Sequence, residues 1–345
     1  PDVTRLPDVA RLLAAAGLGG PVQLRALDGG RNNRVYRVEV GSFVGLVKAY
    51  FHHPADPRDR LGTEFGFLSF AWEQGIRNVP RPIACDPWRH LALYEWVEGR
   101  RLCADEVARS HLESALDLFL ALNGSGRVTA RLNAGSEACF SLAEHLDCVE
   151  RRVERLLGID DASPFGGEAS GFAHRELAAA WREVKRAALA RAETWAMTPT
   201  EVLSPASRCL SPSDFGFHNA LLTADHRIVF VDFEYAGWDD PAKMVCDFFC
   251  QVQVPVAKEH LGWFASSVAA AFPAAEEALR RIELLLPVYG IKWCCILLNE
   301  FLPVGAARRG FSNGSLARPA HRASQLALAR EWLSRREEWM TNGIC

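Results

Sequence analysis

The 345-residue sequence predicts an α+β protein of two lobes, a small β-rich lobe followed by a larger helical one. Three observations lead there. The length is about twice that of a common single domain. Residues 22–97 carry the alternating and β-branched runs of strands. From Gly99 to about Met340 the character is mainly helical.

The elements follow in order. Val9–Ala16 reads as a short Ala/Leu helix stopped by Gly17, Gly19 and Gly20. Val35–Val40 alternates, Phe43–Tyr50 is β-branched and aromatic, and Leu91–Val97 is an apolar run, so each is expected as a strand. One helix interrupts them over about Asp59–Gln74, where Leu61, Phe65, Leu68 and Trp72 recur at helical spacing. The helical region is broken by a loop near Ser163–Gly171 and by a strand-rich island over Val202–Phe233. The apolar window Ile282–Pro303 carries Glu283, Lys292, Asn299 and Glu300 and contains Pro287, which fits a buried helix better than a membrane span.

Composition narrows the classes of function. Hydrophobic residues at 49% and charged residues at 23% are globular values. A formal net charge of −3 supplies no basic field for a phosphate backbone, so a small molecule is expected as partner and nucleic acid is not. The ten cysteines include no CxxC pair, and Cys246 and Cys250 have no second pair to complete a zinc site. They read as buried free thiols of a reducing compartment, and no basic segment followed by an apolar one opens the chain. A cytoplasmic protein is expected, with no membrane partner. Of the 39 basic residues only five are lysine: Lys48, Lys185, Lys243, Lys258 and Lys292.

The chemistry concentrates in the strand-rich island. Leu210–Leu222 holds Asp214 and Asn219 five positions apart in a loop, and Asp232 follows 13 positions after Asn219, at the end of the apolar strand Arg227–Val231. Phosphoryl transfer needs a carboxylate to orient the attacking hydroxyl and hard oxygen ligands for Mg²⁺. An Asp and an Asn in one loop, then an Asp after a hairpin, supply them. Asp214-Phe215-Gly216 spells the metal-binding triplet of protein kinases, but the apolar residues that should precede a metal-binding Asp stand before Asp232 instead. Asp214 is therefore the base candidate and Asp232 the metal ligand, against the plainer reading of a hairpin with a solvated Asp.

Lys48 lies in the apolar strand Phe43–Tyr50, where an ammonium is costly unless paired. Glu64 follows 16 positions later on the expected helix, the arrangement that grips nucleotide phosphates. The alternative is an outward-facing lysine on an edge strand. Upstream, Leu27–Val38 is a turn feeding a strand, with no Gly-Lys dipeptide and no GxGxxG. Its Gly29 and Gly30, followed by Asn33, would let backbone amides approach phosphate oxygens.

Taken in order, these segments resemble the aminoglycoside phosphotransferase and choline kinase-like superfamily, over roughly residues 25–250. Leu27–Val38 is similar to its Gly-Gly-x-x-Asn-x-x-Tyr nucleotide loop, Leu91–Gly99 to its hinge, Ser211–Leu222 to its catalytic loop, and Val231–Pro241, continuing to Asp247, to its metal-binding segment. The resemblance implies a bilobal protein-kinase-like fold, with residues 1–98 as nucleotide-binding lobe and 99–345 as catalytic and substrate lobe. It implies ATP and Mg²⁺ as cofactors, adenine contacts from the backbone carbonyl of Glu95 and amide of Val97, phosphate contacts from Lys48 held by Glu64, metal ligation by Asn219 and Asp232, and alignment of the acceptor hydroxyl by Asp214.

One position departs from the pattern: Pro212 stands where the family commonly has a His two residues before the catalytic Asp. That His is expected to brace the loop, so its loss bears on loop geometry, and a catalytically weak nucleotide-binding module is the alternative reading. The lobe after Gly99 holds 27 Lys and Arg against 31 Asp and Glu, a net of −4, mild for a polycationic aminoglycoside. A sugar, amino sugar or amino alcohol is expected as acceptor, lined by Asp239, Asp240, Trp293, Asn299 and Glu300.

Overall fold

The first lobe is a five-stranded antiparallel sheet in the order β1 (Val22–Leu27), β2 (Arg34–Val40), β3 (Phe43–Ala49), β5 (Leu91–Glu95), β4 (Pro82–Asp86). It and the rest of the fold come from a computed structural model that describes residues 6–27, 33–52, 56, 58–124, 126–127, 130–302 and 319–341. A two-residue turn joins β2 to β3, with Gly41 at φ 58°, a conformation that a side chain would strain.

Successive side chains of a strand point to opposite faces, and β5 is buried on both. Leu91 and Leu93 pack with Val38, Val47 and, from α1 (Leu6–Ala15), Val9, Leu12 and Leu13. Ala92 and Tyr94 join the larger core that runs through α2 (Arg60–Glu73) into the second lobe. Lys48 is paired with Ala92 across β3 and β5, which puts it on this second face. The carboxylate of Asp59 accepts the Gly62 N–H at 2.9 Å and so caps α2, a bond worth about 1 kcal/mol. From that start α2 turns Leu61, Glu64, Phe67, Leu68 and Ala71 inward.

The second lobe contains α3 (Arg109–Leu122), α4 (Leu142–Leu156), α5 (Gly166–Phe172), a π-helical turn (Ala173–Leu177), α6 (Ala178–Thr194), α7 (Pro241–Cys250), α8 (Leu261–Ala269), α9 (Ala275–Leu298), α10 (Pro319–Ser334) and α11 (Arg336–Thr341). α9 is its axis, with α4, α6, α7, α8, α10 and α11 packed around it. Ala275–Phe301 is long and apolar enough to cross a membrane, yet 78% of its apolar window is buried inside the protein, as a core helix is. The thiols of Cys246 and Cys250 point from one face of α7 to the Ile282 and Leu286 carbonyls of α9. All nine described cysteines are free thiols. The loop expected through Gly171 ends earlier, because α5 starts at Gly166 and buries Ala169 and Phe172, a packing gain that outweighs its glycines.

Short strands set into this lobe position two loops. β7 (Cys209–Ser211) pairs with β10 (Gly237–Asp239), and β8 (Ala220–Leu222) pairs with both β6 (Arg100–Arg101) and β9 (Ile228–Phe230). Residues 212–219 therefore leave one strand pair and enter the other, and residues 231–236 make the return passage beside them.

Candidate active site

Backbone strain marks both loops. Ser213 and Asp214 have φ of 46° and 38°, and Asp232 has φ 70°, left-handed values that are uncommon for residues with a side chain. Each costs on the order of 1–3 kcal/mol and persists only where the surroundings hold it, most often at functional sites. Here the hold is visible. The Asn219 side chain donates to the Asp214 carbonyl at 3.0 Å and to its Oδ2 at 3.3 Å. The Val231 N–H in turn donates to the Asn219 carbonyl at 2.9 Å. Asp214, Asn219 and the residue preceding Asp232 are thus bonded in one chain. The Asp214 and Asp232 side chains stay 38% and 40% exposed, so both carboxylates open onto solvent.

Lys48 reaches this group from the other lobe. Its ammonium donates to Glu64 Oε2 at 2.7 Å and to Asp232 Oδ1 at 2.5 Å. Glu64 also accepts the Tyr50 hydroxyl at 2.6 Å and the Phe233 N–H at 3.2 Å, so one carboxylate joins β3, α2 and the segment after β9. Burial alone would lower the Lys48 pKa, but the charges of Asp232 and Glu64 carry it well above the usual lysine value. Lys48 is a fully charged ammonium, inward-facing and not the edge-strand lysine of the alternative reading.

Asn33, at the foot of β2, is buried. It donates to Glu234 Oε2 at 2.5 Å and accepts the Phe51 N–H at 3.1 Å. Gly29 and Gly30 lie outside the described residues. Elsewhere in the first lobe, Glu95 closes β5, its N–H donating to the Arg81 carbonyl at 2.9 Å, and Trp96–Gly99 then crosses to β6 with no regular structure.

The model of the family described as "Phosphotransferase enzyme family" matches residues 23–249, well over half of the chain and all of the residues just placed. The chain belongs to this family. It is a small-molecule kinase with a bilobal protein-kinase-like fold. No curated protein matches it. Among solved structures it is similar to a choline/ethanolamine kinase family protein from Mesorhizobium loti, at 18% identity and a TM-score of 0.57 over 97% of this chain and 99% of that one. It is also similar to the spectinomycin phosphotransferase APH(9)-Ia in complex with ADP and spectinomycin, at 11% identity and a TM-score of 0.60 over 97% and 98%. The choline kinase LicA from Streptococcus pneumoniae aligns at 14% identity and a TM-score of 0.56 over 95% and 98%.

In this phosphotransferase the donors available to a metal are oxygens. Because the Asn219 nitrogen is turned to Asp214, its amide oxygen points elsewhere, and Asp232 presents a part-exposed carboxylate. Among the described residues no group of three or more His, Cys, Asp or Glu forms a self-contained metal cage. Two hard oxygens with room for phosphate and water are what Mg²⁺ takes in phosphoryl-transfer sites, so the residues fit that ion.

The acceptor-lining expectation needs correction at three positions, Asp239, Asp240 and Trp293, all buried. Asp239 is buried and bonded to Lys243 and to the Cys139 N–H, the latter at 3.0 Å. Asp240 is fully buried, caps α7 through the Ala242 N–H at 2.8 Å and accepts Arg281 at 3.0 Å. Both carboxylates are committed to the fold, since a buried carboxylate must be paired. Asn299 and Glu300 form the 3-10 turn that ends α9, with Glu300 3.7 Å from His321 on α10. Trp293 is buried, its indole N–H donating to Asp247 at 3.0 Å.

Sequence reasoning missed His218. Its Nε2 stands 3.2 Å from Asp214 Oδ1, and its ring meets Trp293 edge-on with centroids 6.2 Å apart. The available signal was the i, i+4 spacing to Asp214, overlooked because a bracing His is sought before the Asp and not after it.

Proposed function

We propose that this phosphotransferase moves the γ-phosphate of ATP to a hydroxyl of a small metabolite. Residues 1–98 hold the nucleotide, and residues 99–345 supply the catalytic loop and the acceptor site. The observation that carries this reading is the bond from Lys48 to Asp232 across the two lobes, beside a strained loop that presents Asp214. Lys48, fixed by Glu64, holds the α- and β-phosphates. The Glu95 carbonyl and Val97 amide meet adenine, Gly29, Gly30 and Asn33 serve the phosphates, and Asp214 orients the acceptor hydroxyl and takes its proton. Asn219 and Asp232 hold Mg²⁺, which when bound neutralises phosphate charge. Catalysis by this chain is then positioning and charge complementarity.

For the acceptor, the structural neighbours described as choline, ethanolamine and spectinomycin kinases support a hydroxyl on a small polar molecule. The mild net charge of −4 in the second lobe supports a sugar, amino sugar or amino alcohol over a polycationic aminoglycoside. The free thiols support a cytoplasmic setting. The test is ADP release by the full chain with MgATP and, in turn, choline, ethanolamine, spectinomycin and a set of sugars and amino sugars. Acceptor-dependent release that disappears in Asp232→Ala is expected, with Asp214→Ala slowed by roughly 10²-fold or more while ATP binding persists. ATP binding without turnover of any acceptor overturns the proposal in favour of a nucleotide-binding module.

A further inference from the structure

We infer that His218 is the positioning residue for the Asp214 carboxylate, supplying from behind the catalytic loop the brace that Pro212 removes from its front. The inference rests on the reading of Asp214 as the residue that aligns the acceptor hydroxyl.

The ring has one polar partner to satisfy. Its side chain is only 5% exposed, Nε2 lies 3.2 Å from Asp214 Oδ1, and Nδ1 is buried with no partner. A proton on Nε2 lets the neutral ring donate to the carboxylate and leaves only a lone pair facing the protein interior. The other neutral tautomer would set a lone pair against the carboxylate and bury an unbonded N–H, which costs about 1–3 kcal/mol. Asn219 grips the second oxygen, Oδ2, at 3.3 Å. One donor on each oxygen fixes the plane of the carboxylate, which a single donor would leave free to swing.

The ring is itself held by two neighbours. A methyl group at Gly216 would come within 2.8 Å of Nδ1, so a side chain there would push the imidazole from its place. Trp293 also meets the ring, edge-on at 85°. Trp293 is locked by its bond to Asp247, and that carboxylate accepts Lys292 at 2.7 and 2.9 Å. The sequence Lys292, Asp247, Trp293, His218, Asp214 thus transmits the rigidity of the α7–α9 core to the loop. The His218 side chain is only 5% exposed and its polar contact is with Asp214, so it acts through that carboxylate.

Two measurements on the full chain test this. In the first, ¹⁵N spectra of the histidine rings, with the His218 signal identified by its loss in His218→Gln, are expected to show the proton on Nε2 and a changed signal in Asp214→Asn. A proton on Nδ1 overturns the inference. In the second, ADP release is followed with MgATP and the best acceptor of the set above. His218→Phe, which keeps the ring volume, is expected to lower kcat roughly 10- to 100-fold with KM for ATP unchanged, the size of effect that misplacing a catalytic group produces. His218→Gln, which returns an N–H near Nε2, is expected to stay within about 3-fold, as a restored donor should. Full kcat in a folded His218→Phe protein overturns the inference. A chain that turns over none of the acceptors defeats the proposed function, and the ring spectra then decide the His218 assignment alone.

Discussion

Asn33 and Glu234 are 201 positions apart and share a buried hydrogen bond of 2.5 Å, from Nδ2 to Oε2. Lys48 to Asp232 and the Phe233 N–H to Glu64 lie on the same short stretch after β9. Three consecutive residues, 232 to 234, are therefore each tied to the first lobe, at β3, at α2 and at the foot of β2. The segment after β9 and the first lobe are thus joined by three hydrogen bonds from consecutive residues.

Removing Asn33 tests the first of these ties. Asn33→Ala removes that bond, while the Arg60 guanidinium still stands 3.8 Å from Glu234. A bond to a charged group contributes about 1.5–3 kcal/mol. Denaturant unfolding of Asn33→Ala, Glu234→Ala and the double variant is expected to give a coupling energy above about 1 kcal/mol. Additive losses would assign Glu234 to Arg60 instead.

Lys48 separates stability from chemistry. Lys48→Met strands the buried Glu64 carboxylate and is expected to cost about 3–5 kcal/mol in unfolding experiments. Changing both residues, to Lys48→Met with Glu64→Leu, removes the stranded charge but takes the acceptor from the Tyr50 hydroxyl and the Phe233 N–H, so part of that loss should be recovered. With Lys48 in its proposed role, phosphate transfer should stay depressed by roughly 10²-fold or more in both. Recovery of turnover along with stability would remove Lys48 from the phosphate site.

These contrasts explain what was readable in the sequence. Lys48 stood out because a charge in an apolar strand must have a partner, and Asp214, Asn219 and Asp232 because loop spacing is local. The scarcity of lysine was a weaker guide: Lys243 and Lys292 are as buried as Lys48, and each serves a carboxylate of the fold, Asp239 and Asp247. Asp240 was misread because its partner Arg281 lies 41 positions downstream, and no local signal separates a carboxylate facing a cleft from one facing a helix. His218 is a different case: its i, i+4 spacing to Asp214 is local, while the contact with Trp293 on α9 that sets its ring lies 75 positions downstream.

The misreading of Asp240 can be checked directly. Asp240 accepts from Arg281, from the Ala242 N–H and from the His145 ring, and these partners hold its pKa below the usual carboxylate value although burial acts to raise it. Asp240→Ala removes the α7 cap and leaves Arg281 half-partnered. A loss of about 3–5 kcal/mol is expected by chemical denaturation, with KM for the acceptor unchanged in the protein that remains folded. A shift in acceptor KM without loss of stability would return Asp240 to the acceptor site.

Glu137 gives a pH dependence whose sign follows from its surroundings. It belongs to the stretch in which Gly135 and Ser136 donate to the Trp238 and Tyr235 carbonyls, each at 2.9 Å, so it sits on the cover of the segment after Asp232. Burial acts to raise its carboxyl, but Arg152, which donates to it, and the charge of Lys292 bring it down to about 2 from an ordinary 4.5. A carboxyl lowered on folding stabilises the native state in full above the unfolded value, and that stabilisation is lost as pH falls through the window from 4.5 to about 2. The stability gap between the wild-type chain and Glu137→Gln is therefore expected to be constant between pH 7 and 5 and to narrow from pH 4.5 towards 3 in urea titrations. A gap that stays level across that range would mean that the Glu137 carboxylate gains nothing from Arg152 in the folded protein.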